Sequence, residues 1–317
     1  MLARHLLPTG RPLRLLEHRR PVAEDLRSAP SVEVVRGDLA RAETLGPVCA
    51  SVDCVVHFAG VLFGPWPERF LPRTNIEYFR NLLAASLTAG VRRVILISFP
   101  HVEGETTPDC PATGRLDGAP ASVHARTRLE EERLLFAKCQ GTATQPVVLR
   151  VGMVYGPGTL MIEAGRWLLR RRLLAVWRKP TWVHLIATPD FLAAAQAAIE
   201  SPTASDIYHV GDEQPVTLQK FLDRLADHWG YRRPWRLPLR LIYALALATE
   251  VFATVFRTAA PLTRDFVRIG TASYCGDTGR LRRELLPSLR YPTLTDGLGQ
   301  FEKARCATAK PVGPAQD

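Results

Sequence analysis

A histidine and an arginine near the middle of the chain have the spacing of one helical turn. His124 and Arg128 are four positions apart, and residues at that spacing face the same side of a helix. Histidine titrates near neutral pH, and a permanently charged guanidinium beside it lowers its pKa, which favours the neutral imidazole. Such a pair accepts a proton more readily than it donates one. It is a candidate for proton transfer, with the alternative that both side chains have lost any role in chemistry.

The elements that must position this pair follow from an alternation of short apolar runs with longer helical patterns. Gly90 predicts the end of the helix Ile76–Ala89. The alternation predicts a doubly wound parallel α/β sheet, which binds its ligands outside the carboxyl ends of the strands. The predicted strands are Leu13–Leu16, Val32–Val35, Cys54–Phe58, Val94–Ile97 and Val147–Val151, and the predicted helices are Arg41–Ala50, Ile76–Ala89 and Arg128–Ala137.

The pattern changes after residue 158 and divides the chain. Residues 1–158 are predicted to form the sheet domain, to which residues 181–211 return with a strand, a helix and a further strand. Residues 159–180 and 212–303 are predicted to form a smaller, mainly helical cap. The remaining residues, 304–317, are small, polar and proline-containing, which predicts a disordered tail. The returning elements are Trp182–Ile186, Asp190–Ile199 and Ile207–Val210.

Composition limits the partners and the compartment. The 317 residues carry a formal net charge of +10, but only five of the 41 basic residues are lysines and the arginines are spread along the chain. We find no zinc-finger or RNA-recognition motif, so no nucleic-acid partner is expected. The six cysteines form no Cys-x-x-Cys pair, which predicts a reducing, cytoplasmic chain without a structural zinc or other metal site. The longest apolar run, Leu241–Phe256, is interrupted by Glu250, and the first residues do not form a convincing signal peptide.

Two cap segments combine arginines with large apolar residues. They are residues 166–174 and 234–256. Such surfaces could recognise an apolar small-molecule substrate with an anionic end, or lie on an anionic membrane. The alternative is an ordinary cap core with arginine stems packed along it. A peripheral membrane contact and a homodimer therefore stay open as partners.

A series of short motifs resembles those of the extended short-chain dehydrogenase/reductases, the NAD-dependent epimerase/dehydratase superfamily. The resemblance covers residues 1 to about 303 and implies a Rossmann-type fold that binds NAD(P). The motifs are Val35 to Leu39, His57-Phe58-Ala59-Gly60, Asn75 with Asn81-Leu82-Leu83, Ala89 to Arg93, Leu149-Arg150-Val151, Tyr155 to Gly158 and Tyr208 to Gly211. Each is weak alone, and their common order carries the assignment.

The resemblance implies cofactor-binding roles for residues at strand ends. Asp38, with Leu39 beside it, would accept a hydrogen bond from the adenine, or else be a turn or capping residue. Ala59 and Gly60 would let the backbone approach the cofactor closely. Asn75 would support the active-site backbone, or else cap the helix near Ile76. His57 is expected to be a strand-end residue bonded to backbone.

The choice between NAD and NADP depends on the residues after the first predicted strand. Glu17 matches the acidic position that favours NAD, whereas Arg19 and Arg20 could pair with the extra phosphate of NADP. Two guanidinium groups beside one carboxylate leave net positive charge for a dianion. NADP is therefore slightly favoured over NAD.

The glycine-rich fingerprint that follows the family's first strand has no counterpart in this sequence. Met1 to Leu7 resemble the stretch directly after those glycines, and no glycine precedes Gly10. We expect either a start site placed too far downstream or a shortened, non-binding protein. The family's first strand lies between the strands predicted at 13–16 and 54–58, so we expect a gap or a strained direct pairing between these two.

The family's catalytic positions are also changed. His124 stands where a tyrosine is expected and Arg128 where a lysine is expected. The family's substrate-polarising hydroxyl residue is replaced by Phe99, and Ser98 lies one residue earlier. The candidate catalytic residues are therefore His124, Arg128 and Ser98, with Arg128 also a candidate for the cofactor ribose. The resemblance implies an NAD(P)-dependent oxidoreductase or epimerase-like protein for a carbonyl or alcohol substrate. The alternative is a noncatalytic nucleotide-sensing or assembly module of the same fold.

Overall fold

The structure, a computed structural model, describes residues 1–60, 64–258, 260 and 262–308. Strands and helices alternate along the chain. The strands are β1 Leu13–Glu17, β2 Val32–Arg36, β3 Cys54–His57, β4 Arg93–Ser98, β5 Gln145–Val151, β6 Met153–Tyr155, β7 Ala175–Trp177, β8 Trp182–Val183, β9 Leu185–Ala187, β10 Asp206–Val210, β11 Val216–Thr217 and β12 Trp235–Leu237. The helices are α1 Leu2–Leu6, α2 Glu24–Arg27, α3 Gly46–Cys49, α4 Tyr78–Thr88, α5 Val123–Cys139, α6 Leu160–Arg170, α7 Thr188–Glu200, α8 Leu218–His228, α9 Leu239–Phe256, α10 Arg264–Thr271, α11 Gly279–Glu284 and α12 Leu294–Thr308.

Four parallel strands form the central sheet, in the order β10-β5-β4-β3. One of its faces packs against α7 through Phe191 and Ala194. The other packs against α4 and α5 through Phe79, Leu83 and Leu135. Helices on both faces bury the apolar residues of a parallel sheet on either side. The predicted doubly wound α/β fold is thus confirmed.

Strands β1 and β2 pair with one another in parallel and form a separate two-stranded sheet. In the part of the chain that the structure describes, β1 is hydrogen-bonded to β2 and not to β3. The strained direct pairing is therefore not what the structure contains. The strands on either side of the place expected for the family's first strand stay apart.

The five strands predicted for the sheet domain agree with the structure to within two residues, but the helices differ more. The helix predicted at 41–50 is a 3₁₀ turn, Ala42–Thr44, followed by the single turn of α3, because Gly46 and Pro47 both disfavour a continuous helix. Helix α5 begins five residues before the predicted start. Helix α4 ends at Thr88, and Gly90 has a φ of +68°, as its role as a helix stop requires.

The C-terminal part adds two smaller cores. One packs α8 against Tyr155 and β9, and the other packs α9 against β7 and Val267 of α10. Strand β10 pairs with β5, so residues 206–210 do return to the central sheet. The domain boundaries themselves stay a prediction. Helix α12 runs to Thr308, beyond the start predicted for the tail, and residues 309–317 of that tail lie outside the described residues.

Candidate active site

The N-terminus of α5 is held by two side chains that accept its free amide hydrogens. Ser122 is the N-cap residue, and its hydroxyl accepts from the N–H of Ala125 at 3.0 Å. Asp265 of α10 accepts from the N–H groups of Val123 and His124, at 2.9 and 3.3 Å. Helix α10 thereby holds the first turn of α5, and with it the position of His124.

His124 lies in a mostly aromatic environment. Its side chain is 7% exposed, and its ring meets the Phe99 ring edge-on with centroids 4.8 Å apart. Phe99 in turn stacks on His101, also at 4.8 Å. Burial, and then the positive charge of Arg128, lower the pKa of His124 to about 3. The imidazole is therefore neutral at physiological pH.

Arg128 joins α5 to the carboxyl end of β3. Its Nη2 donates to the carbonyl oxygen of Ala59 at 2.9 Å, and its Nη1 donates to Glu131 at 2.8 Å. A Cβ added to Gly60 would lie 2.2 Å from Nη2 of Arg128. Only a glycine leaves room for the guanidinium there. Arg128, Ala59 and Gly60, which the sequence singled out separately, thus lie together.

Glu131 and His57 were missed as site residues by the sequence reasoning. Glu131 is fully buried, and its Oε1 lies 4.0 Å from Nε2 of His57; neither atom has a hydrogen-bond partner. Burial raises the pKa of Glu131 to about 7 against the opposing charge of Arg128. Burial and Arg128 lower the pKa of His57 to about 3. The available signal was a glutamate three residues after Arg128, on the same helical face.

Asn75 is hydrogen-bonded to α5. It is fully buried, and its Nδ2 donates to the hydroxyl of Thr127 at 2.9 Å. It lies inside a π-helical turn, Pro72–Glu77, that continues into α4. The alternative that Asn75 caps a helix near residue 76 is therefore wrong. Its Oδ1 has no hydrogen-bond partner and lies 4.0 Å from the position of a Cβ on Gly60.

Ser98 belongs to a buried ionic cluster. Its hydroxyl donates to Glu132, which also accepts from Nη2 of Arg150 at 2.6 Å. Arg150 donates to Glu103 as well. Burial alone would raise the pKa of Glu103, but His209, whose Nε2 lies 3.5 Å from its Oε1, the N–H of Gly114 and the charge of Arg150 lower it to about 2. The recorded hydrogen bond of Ser98 thus goes to this cluster and not to His124.

The residues predicted for the adenosine end of a cofactor lie after β1 and β2. Glu17 accepts from the N–H of Val22 at 2.8 Å and from Arg27 and Arg36. Its pKa is lowered, chiefly by the Val22 N–H. The carboxylate that would favour NAD is therefore already engaged with two guanidinium groups of the chain.

Asp38, Leu39 and Arg19 have different surroundings. One carboxylate oxygen of Asp38 accepts from the N–H of Ala40 at 2.9 Å, as in the alternative role of a turn residue. Its other oxygen lies 3.4 Å from Nε2 of His18. The carbonyl of Leu39 accepts from Asn81 at 2.9 Å. Arg19 is exposed, and among the described residues it has no recorded ion pair.

These surroundings fit the nicotinamide end of a dinucleotide cofactor, whereas the glycine-rich loop that would hold its pyrophosphate has no counterpart in the sequence. The unpartnered Oδ1 of Asn75, the exposed backbone of Gly60 and the guanidinium of Arg128 adjoin one another at the carboxyl end of β3, where doubly wound sheets bind ligands. Asp38 would hold the adenine, and Arg128 the ribose next to the nicotinamide. Within the described residues, no group of three or more His, Cys, Asp or Glu could hold a metal ion.

Comparison with known proteins identifies the family and the fold. Residues 1–210 match the NAD dependent epimerase/dehydratase family. The human sterol-4-alpha-carboxylate 3-dehydrogenase, decarboxylating, is 24% identical over 216 residues, which are 65% of this chain and 58% of that protein. The 2-alkyl-3-oxoalkanoate reductase of Stenotrophomonas maltophilia is 26% identical over 247 residues, 73% of this chain and 74% of that protein.

Solved structures share the fold. MoeE5 in complex with UDP-glucuronic acid and NAD superposes with a TM-score of 0.74 at 22% identity, covering 96% of this chain and 95% of that chain. A dTDP-glucose 4,6-dehydratase from Streptomyces venezuelae with NAD bound gives a TM-score of 0.74 at 19% identity, covering 96% and 94%. At these identities the likeness concerns the fold.

Proposed function

Because the chain belongs to the NAD dependent epimerase/dehydratase family, we propose that it is an NAD(P)-dependent oxidoreductase that interconverts an alcohol and a ketone. His124 is its proton-transfer group, and Arg128 positions the cofactor. The observation that carries the proposal is the joint placement of Arg128, Ala59 and Gly60. The guanidinium occupies the space that a side chain at residue 60 would fill, at the carboxyl end of β3, which is where we place the cofactor.

The protein's part in the reaction follows from the charge states of its residues. The chemistry that a bound NAD(P) would supply is hydride transfer between its nicotinamide and the alcohol or ketone carbon. Neutral His124 accepts the hydroxyl proton as the carbon–oxygen double bond forms, since its pKa near 3 keeps it unprotonated. The same low pKa makes the neutral imidazole a weak base and its protonated form a strong acid, so the pKa of His124 sets no preferred direction for the reaction.

The substrate class is proposed from two relatives. The name of the human relative places a carboxylate on the ring position next to the oxidised carbon. The name of the Stenotrophomonas relative places the reduced ketone next to the carbon that joins the carboxylate. Both substrates are apolar bodies with a carboxylate one carbon away from the reacting carbon. We propose a substrate of this kind.

For the cofactor, we propose NADP ahead of NAD. Glu17, the residue that would favour NAD, already pairs with Arg27 and Arg36 of the chain itself. Arg19 remains exposed beside it. An exposed guanidinium at this position supports pairing with the additional phosphate of NADP.

A second candidate function is a noncatalytic nucleotide-binding module. Two observations favour it. The Ser98 hydroxyl is bonded to Glu132, and Phe99, which has no hydroxyl, stands where the family has its substrate-polarising hydroxyl. A protein of this kind would bind NAD(P) through Arg128 and turn over no substrate. Catalysis and binding are therefore measured separately.

The test uses the full chain with NADP⁺ or NAD⁺ and two substrate classes. One is a 3-hydroxy acid with an alkyl chain on carbon 2, and the other is UDP-glucose. Reduced nicotinamide is followed by absorbance, and cofactor binding by calorimetry. We expect turnover of the hydroxy acid and none of the sugar nucleotide. Turnover of UDP-glucose alone would overturn the substrate class, and cofactor binding without any turnover would favour the noncatalytic candidate.

A further inference from the structure

Helix α9 exposes a large apolar surface. Eight of the fifteen exposed large apolar side chains in the described part of the chain lie on this one helix. Several are more than half exposed, including Phe252 at 57% and Val255 at 69%. Contiguous apolar patches of this kind on soluble proteins mark binding surfaces. The eight residues are Leu239, Leu241, Leu245, Leu247, Val251, Phe252, Val255 and Phe256.

The opposite side of α9 attaches the helix to the protein along its length. Ile242, Ala246, Glu250 and Ala253 are buried and follow one another at helical spacing. The Glu250 carboxylate accepts from the backbone N–H of Arg264 at 3.0 Å and from its Nε at 2.7 Å. The helix therefore packs on the cap through these four buried residues, and its apolar surface faces solvent.

Length alone would let α9 cross a membrane. It has 18 residues with a mean hydropathy of 1.7, and it is the one helix among the described residues that is long and apolar enough to do so. A spanning helix, however, would have to take the Glu250–Arg264 pair out of the cap and into hydrocarbon, at a high cost. The buried side of α9 therefore favours a helix that lies in the plane of a membrane surface.

Charge around α9 indicates which surface would cover it. From residue 229 to residue 258 the sequence has five arginines and one acidic residue, the buried Glu250. Arg233 and Arg236 pair with aspartates of α8, which leaves three arginines without a carboxylate partner among the described residues. Arg240 and Arg257 are exposed at the two ends of the helix. The exposed Trp235 lies in β12, directly before the helix. Tryptophan and arginine beside an apolar face are typical of the interface of an anionic membrane.

We propose that the α9 surface docks onto an anionic lipid bilayer. This surface is defined by the eight apolar residues above together with Trp235, Arg240 and Arg257. The apolar side chains enter the boundary between headgroups and acyl chains, while the arginines pair with lipid phosphates. The rest of the domain stays in water, because the buried side of α9 remains packed on the cap.

Co-sedimentation of the full chain with vesicles tests the proposal. One set of vesicles contains equal parts of phosphatidylglycerol and phosphatidylcholine, and the other contains phosphatidylcholine alone. We expect at least about tenfold stronger binding to the anionic vesicles, weakened by salt, since each arginine near such a surface contributes roughly fivefold. Replacing Arg240 and Arg257 with glutamine should remove most of this difference.

A matched pair of variants separates the α9 surface from general charge effects. Val251→Glu with Val255→Glu lowers the net charge by two on the apolar surface, and should abolish vesicle binding. Arg224→Glu lowers it by the same amount at an exposed position of α8, and should retain most of the binding. Vesicles with brominated acyl chains should quench tryptophan fluorescence, and Trp235→Phe should reduce that quenching.

Three results would overturn the proposal. The first is equal binding of the chain to both vesicle types, and the second is unchanged binding by the Val251/Val255 double variant. The third is the absence of vesicle binding. In that case, a dimer that sedimentation velocity detects and that the double variant dissociates would identify a second copy of this chain as the occupant.

Discussion

The Nη2 atom of Arg128 donates a 2.9 Å hydrogen bond to the carbonyl oxygen of Ala59. This bond joins the second turn of α5 to the carboxyl end of β3, and so sets how far His124 stands from that end of the strand. Arg128 can make it only because residue 60 has no side chain. Substitutions at residue 60 therefore act on the site through the guanidinium.

Gly60→Ala should weaken binding of NAD(P). The added Cβ would lie 2.2 Å from Nη2 of Arg128, so the guanidinium has to leave Ala59. We expect at least about a tenfold loss of affinity, the value of one charge-assisted hydrogen bond, measured by calorimetry.

The matched control for this substitution is Arg128→Lys, alone and combined with Gly60→Ala. A lysine is more compact, so adding the alanine should cost much less in that background. If Gly60→Ala cost the same affinity for NAD(P) in both backgrounds, residue 60 would not act through Arg128.

Glu131→Gln should change how stability depends on pH. The pKa of Glu131 in the folded protein is about 7, above its ordinary value of 4.5. Between these pH values the folded protein keeps a proton that the unfolded chain has lost, so its stability falls as the pH rises. Glutamine does not titrate. Relative to the parent, the variant should gain about 2–3 kcal/mol between about pH 5 and about pH 8, in urea unfolding. A constant difference across this range would mean that Glu131 titrates normally.

Ser98→Ala should affect folding more than chemistry. The serine hydroxyl donates to buried Glu132, and removing it leaves a carboxylate oxygen with one partner fewer. We expect a loss of about 1–3 kcal/mol in the free energy of unfolding and a change of less than about threefold in turnover. A loss of turnover of about a hundredfold with unchanged stability would return Ser98 to the catalytic residues.

Arg19→Ala should separate the two cofactors. Arg19 is exposed after β1, and a guanidinium there would pair with the additional phosphate of NADP. We expect roughly a tenfold loss of affinity for NADP and less than about a twofold change for NAD. Arg11→Ala, an exposed arginine before β1, serves as the control of equal charge. Equal losses for both cofactors would contradict the assignment.

The sequence predicted the sheet better than the site. The strands were found because each is a short apolar run between polar turns, a local signal. The bond between Arg128 and Ala59 is long-range and has no local pattern, although both residues were singled out. Glu131 was missed because a glutamate on a helix is normally a solvated residue, and only its burial beside His57 makes it unusual. The start of α5 was missed although Ser122 is a local N-cap signal; the second side chain that holds it, Asp265, lies far along the chain.

Single-turnover hydride transfer by His124→Ala, compared with the parent protein, tests the central claim most directly. His124 is neutral above about pH 3, so it should leave the parent rate independent of its own titration from about pH 5 to about pH 9. We predict that the alanine variant binds NAD(P) within about twofold of the parent and transfers hydride at least about tenfold to a hundredfold more slowly across this range. An unchanged rate at equal cofactor occupancy would contradict the role of His124 as the proton-transfer group.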